Sequence, residues 1–166
     1  MTIPVAHFSG IHATDGAMVR VRYGAMQQVV LVKGDPHISR IEVRDGSLEL
    51  ATCVLPQCPR HYEFEVEVTT PNINAIAAED GATIAAEGNF PAQGALSVAA
   101  NDGGNIDLRE LPVANVNAKA EDGGNIRLRA SGTLNASADD GGNIEYWGHP
   151  SVNSRTNDGG NVSRGE

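Results

Sequence analysis

At 166 residues, 40% of them hydrophobic, the chain is long enough to fold as one domain with a real core. Its formal net charge of −9 opposes non-specific attraction to nucleic acid or to an anionic bilayer. No run of about twenty apolar residues exists to make a transmembrane helix, so neither a nucleic-acid partner nor membrane insertion is expected.

The first ten residues lack the charged start and apolar core of a signal peptide. A leader removed earlier, another export route and a cytoplasmic location all stay open. From there to Pro71 the chain alternates strictly between apolar and polar positions, which predicts strands over 19–23, 29–32, 40–44, 47–51 and 62–68. Asp45-Gly46 is the kind of two-residue connection that closes an antiparallel hairpin. Residues 1–71 therefore read as a less regular, antiparallel β-rich cap. Arg20, Arg22, Arg40 and Arg44 alternate with Val19, Val21, Ile41 and Val43, as a solvated strand face does. Cys53 and Cys58 flank Val-Leu-Pro-Gln between two predicted strands, where they either close a small disulfide loop or stay as thiols. His61 is the one histidine near them, too few ligands for zinc.

After Pro71 the texture changes to a repeat. Asp102-Gly103-Gly104-Asn105, Asp122-Gly123-Gly124-Asn125, Asp140-Gly141-Gly142-Asn143 and Asp158-Gly159-Gly160-Asn161 recur, each followed by Ile or Val, with a degenerate forerunner at Asp80-Gly81-Ala82-Thr83. The spacing marks a stacked-repeat architecture over residues 72–166. Apolar residues fall at every second position after each turn (Ile106 and Leu108, Ile126 and Leu128), and a second alternating pair precedes the next turn (Val116 and Ala118, Leu134 and Ala136). Each repeat is thus expected to hold two short strands separated by turn formers such as Pro112 and Ser131-Gly132. The resulting expectation is an all-β fold: a β-solenoid resembling a right-handed parallel β-helix, with about 18–22 residues per coil and a thin core suited to Ala, Val and Ile.

The repeated turn has its own chemistry. Asp bonds its local backbone, paired glycines supply positive φ, and Asn tolerates the left-handed region. Stacked coils place Asn105, Asn125, Asn143 and Asn161 in one amide ladder. Asp102, Asp122, Asp140 and Asp158 form a like-charged column that is either a turn device or a cation site. Residues repeated in every coil are explained more simply by folding than by one active site. No nucleophile elbow, phosphate loop or paired zinc-binding histidine motif is present, and no cofactor is expected. Tyr146 takes the inward phase set by Ile144, leaving Trp147, beside His149, exposed for contact with a sugar or a protein, or packed on a nearby loop.

The turn motif and several ordered segments together resemble the head GIN domain family of bacterial autotransporter adhesins. The segments are Phe8-Ser9-Gly10-Ile11, residues 19–24, residues 41–50, residues 66–71 and residues 144–150. That resemblance implies an extracellular or cell-surface module and brings no catalytic residues with it. The reading is a non-enzymatic adhesin-like or structural module contacting glycans, surface proteins or other copies of itself. The alternative is a carbohydrate-active or calcium-binding β-helix enzyme. After Asp158-Gly159-Gly160-Asn161 only Val162, Ser163, Arg164, Gly165 and Glu166 follow, so the last coil is expected to be open and to offer an edge for self-association.

Overall fold

The computed structural model describes residues 1–165; Glu166, named above among the residues that follow the last turn, lies outside them. The described residues form strands and turns with no helix. Three strands set the frame: β1 (Thr2–Ile3), β2 (Gly10–Thr14) and β3 (Met18–Tyr23). Next come β4 (Gln28–Lys33), β5 (Arg40–Arg44), β6 (Ser47–Ala51) and β7 (Glu65–Thr70). The repeats supply β8 (Ala75–Ala78), β9 (Thr83–Glu87), β10 (Gln93–Ala100), β11 (Asn105–Ala120) and β12 (Asn125–Ala138). The chain closes with β13 (Asn143–Trp147), β14 (Ser151–Thr156) and β15 (Asn161–Arg164).

The sheet wraps nearly closed, barrel-like, with mixed pairing. One face runs β7, β3, β9, the first half of β11, the first half of β12, β13 and β15, all parallel. The other runs β6, β2, β8, β10, then the second halves of β11 and β12, and β14, again parallel. Inward positions from both faces, from Phe8 to Ile144, belong to a single core cluster. Like residues stack on like: Ile84, Ile106, Ile126 and Ile144 are in register and nearly fully buried. Such matched columns fill a narrow interior with few voids, which small and β-branched side chains do well.

Several details depart from the sequence-based expectation. Among the described residues antiparallel pairing is confined to β1–β4, β4–β7 and β5–β6, whereas β2 and β3 pair in parallel with the repeat strands β8 and β9 on one side and with β6 and β7 on the other. The two short strands expected per repeat merge in β11 and β12. Pro112 and Ser131-Gly132 do not break them, because register shifts after Leu108 and Val113 absorb the bend as bulges do. The chain also stacks out of sequence order: β2–β3 sits between β6–β7 and β8–β9.

The corners explain the turn motif. Asp102, Asp122, Asp140 and Asp158 hold φ between 44° and 48°, and the glycine after each holds φ between 79° and 82°. The second glycine is not left-handed, and neither is the Asn, which opens a strand. Aspartate therefore fills the left-handed place assigned above to Asn. The second glycine is needed for space. A Cβ on Gly124 would lie 2.6 Å from the carbonyl carbon of Ala100 and closer still to its oxygen, in the coil beneath. Backbone bonds lock successive corners together: the Gly103 N–H donates to Asp122 O, Gly123 to Asp140 O and Gly141 to Asp158 O, each at 3.1 Å. Asp15-Gly16 belongs to the same stack, its Gly16 N–H donating to Asp80 O at 3.0 Å.

Candidate functional site

Because outward positions are also in register, each face carries columns of identical or related side chains. On the face containing β9, the Asn125 Nδ2 donates to Asn105 Oδ1 and the Asn143 Nδ2 to Asn125 Oδ1, both at 3.1 Å. Asn161 stands in register with Asn143, but among the described residues no side-chain hydrogen bond extends the ladder to it. Beside this ladder runs a charged column. Asp107 accepts from Arg109 Nε at 2.9 Å and Nη2 at 2.7 Å, and Arg127 Nε lies 3.6 Å from Glu145. Burial pushes the Asp107 carboxyl up, but the hydrogen bonds from Arg109 and the charge of Arg127 outweigh it, holding it below its ordinary value. This groove, of about 620 Å³, is self-neutralised.

The opposite face, containing β8 and β10, is chemically different. A second amide ladder, absent from the sequence-based reading, joins Asn135 Nδ2 to Asn117 Oδ1 at 2.9 Å and Asn153 Nδ2 to Asn135 Oδ1 at 3.2 Å. Its signal was the spacing of Asn117, Asn135 and Asn153 at one position of each coil. The Thr133 hydroxyl donates to Asn115 Oδ1 at 2.8 Å in the column alongside. On the other side of the ladder, Lys119, Ser137 and Arg155 share a register. Small residues such as Ala75, Ala77, Ser97 and Ala99 leave a groove of about 670 Å³ over β8 and β10. At its far end His12 lies 3.0 Å from Glu49 and 3.5 Å from Glu79.

The aspartate column lies at the corners, away from both grooves. Burial, then the carboxylates of Asp158, Asp122 and Asp139, raise the Asp140 pKa above its ordinary value. Among the described residues, no group of three or more His, Cys, Asp or Glu side chains has a metal-holding arrangement. Cys53 and Cys58 are joined in a disulfide. Arg20, Arg22, Arg40 and Arg44 all meet carboxylates: Arg20 with Glu65, Arg22 with Glu67 and Glu87, and Arg40 and Arg44 with Glu42.

The Trp147 and His149 pair is less free than its position in the sequence implies. Tyr146 and Trp147 are both half-buried, so the inward and outward partners are not cleanly divided. The Trp147 indole takes the Arg109 guanidinium 5.3 Å from a ring centroid and lies against Gly165, whose N–H donates to Tyr146 O at 2.8 Å. His149 Nδ1 is 2.7 Å from Arg164 Nη2. Trp147 thus clasps the last coil, and its ring is already engaged.

Known proteins resemble the chain in sequence pattern and in shape. The family model described as "Putative auto-transporter adhesin, head GIN domain" matches residues 7–94 and 92–150. A crystal structure of a "putative adhesin" from Bacteroides fragilis NCTC 9343 is similar, with a TM-score of 0.61 and 15% identity, covering 99% of this chain and 94% of that one. A "putative lipid binding protein" from Parabacteroides distasonis ATCC 8503 gives 0.55 and 12% identity, covering 100% and 96%. A "putative adhesin" from Parabacteroides merdae ATCC 43184 gives 0.50 and 15%, covering 100% and 95%. No curated protein sequence matches the chain. At these identities the structural neighbours carry the fold alone, whereas the family match spans most of the sequence: the chain belongs to the head GIN domain family of auto-transporter adhesins.

Proposed function

We propose that the protein is a non-enzymatic, adhesin-like module of the cell surface, a right-handed β-solenoid whose rigid faces make contact with glycans, surface proteins or other copies of the chain. The observation that carries this reading is the pair of laddered outer faces, in which hydrogen-bonding side chains repeat from coil to coil. Repetition suits an extended surface that grips a repeating or broad partner. A catalytic centre instead needs different groups converging on one point. Family membership supports the surface role, and the disulfide fits an oxidising compartment. Self-association has support in β14 and β15, which pair only with β12 and β13 and so leave one edge of each without a strand partner among the described residues.

A glycan and surface-protein binding screen, run with light scattering across protein concentration, tests the proposal. Saturable binding to a glycan or protein, or a mass that rises with concentration and falls on Val162→Lys, is the expected outcome. Turnover of a polysaccharide by the purified protein would overturn it.

A further inference from the structure

The outer face of β8, β10, β11, β12 and β14 is set apart by what it carries on a chain of net charge −9. Its columns present amides, hydroxyls and methyls, with no Asp or Glu among them from β8 onward. Two cations rise from one column, Lys119 and Arg155, with Ser137 between. The Lys119 ammonium is steadied by Glu121 at 2.8 Å, beyond the end of that strand. Arg155 is exposed and has no carboxylate partner among the described residues. We infer that this face is a binding site for a carboxylated glycan lying along the stack of coils. This deepens the surface-module reading and rests on it.

Four features fit that ligand class. Asn135 uses one N–H and its oxygen along the column and Asn153 uses one N–H, which leaves each of them a second N–H for a ligand. The free donors recur at the strand spacing of about 4.8 Å, near the repeat of sugars in an extended chain. Lys119 and Arg155 are two coils apart, roughly 10 Å, close to the separation of carboxylates on alternate sugars of an extended uronate chain. The columns from β8 onward carry no carboxylate, the nearest being Glu121 at the strand end and Glu49 and Glu79 beside His12, so an anionic polymer lying over them meets less repulsion than elsewhere on the molecule. The small residues over β8 and β10 let a sugar ring approach the backbone closely. The opposite face lacks this combination, because Asp107 and Glu145 stand within its columns beside Arg109 and Arg127.

The test is titration calorimetry of the folded protein with an oligogalacturonate and with the same oligosaccharide after its carboxyls are reduced to alcohols. The acidic oligosaccharide should bind, more weakly as salt rises, and the reduced form should bind less well. Lys119→Gln with Arg155→Gln should weaken binding by about tenfold or more, as loss of charge-assisted contacts does. Arg127→Gln on the other face should leave binding unchanged. These side chains are exposed, and thermal melts of each variant confirm that folding is intact. No binding of the acidic form, or binding indifferent to the double substitution, overturns the site. Binding of a neutral glycan or a protein that survives the double substitution also overturns it, while leaving the surface-module reading in place.

Discussion

The two glycines of each corner serve different physical needs, and the second repeat separates them. Gly123 holds φ +79° with open space where a Cβ would go, while Gly124 has an ordinary φ but no room, its would-be Cβ lying 2.6 Å from the Ala100 carbonyl carbon and 3.1 Å from the Ala100 Cβ. Asn at 123 meets only the left-handed backbone, which Asn tolerates, so Gly123→Asn should cost about 1 kcal/mol or less. Asn at 124 must push one coil off the next across a backbone hydrogen bond, the 2.9 Å Glu121 N–H to Ala100 O contact. Overpacking of that kind typically costs about 1–3 kcal/mol, and the upper end is expected here because the obstacle is backbone. Ala17 and Ala82 hold the equivalent place after Asp15-Gly16 and Asp80-Gly81, both fully buried, so a coil can open enough for one methyl. Gly124→Ala should therefore fall at the lower end. In urea, with a slope of about 1–3 kcal/mol per molar, the Gly124→Asn midpoint should drop by about 1 M or more while Gly123→Asn barely moves. Equal losses at the two positions would refute the division of labour.

Other perturbations read different parts of the stack. Ile126, stacked between Ile106 and Ile144, should lose about 2–5 kcal/mol on truncation to alanine in the same urea assay. Arg127→Ala, which removes exposed charge interactions with Glu145 and Asp107, should stay within about 1 kcal/mol. Because the Asp140 pKa is raised in the fold, its contribution to stability is full below the ordinary value of 3.8 and is lost as pH rises through the folded value. Asp140→Asn should raise the melting temperature at neutral pH, with the gain vanishing in acid; the same gain at both would refute the charge-column account. Millimolar calcium should leave the melting temperature unchanged. A rise abolished by Asp122→Asn with Asp140→Asn would restore the aspartates as a cation site.

Much of the repeat region was legible because register is written into it. The recurring Asp-Gly-Gly-Asn corners stack on one another, and the alternation after each names the inward residues Ile106, Leu108, Ile126 and Leu128. What stayed hidden depends on long-range order. Asp15-Gly16-Ala17 is a member of the same corner, but its third residue is alanine and its stacked neighbour, Asp80-Gly81, is far away in sequence. Periodicity also assumes that coils pile up in chain order, so it could not place β2–β3 between β6–β7 and β8–β9. For Trp147 the choice between open contact and packing stayed undecided because alternation assigns a face without saying what else lies on it; Arg109 and Gly165 come from other repeats. The groove over β8 and β10 was invisible because its defining property is the joint absence of carboxylates from strands scattered along the chain.

That out-of-order insertion bears on how the protein comes to be folded. Where coils stack in sequence, each new one lands on a finished neighbour, and assembly can proceed behind synthesis. Here the first coil to emerge, β2–β3, must wait for β6–β7 on one side and for β8–β9 on the other. Closing those separations costs loop entropy before any contact rewards it, which slows folding and leaves strand edges bare meanwhile. A nascent chain ending near Pro71 would expose the sides of β2 and β3 that later face β8 and β9. The repeats therefore act as the latch for residues made long before them, and strand pairing with the wrong chain is the hazard until they arrive.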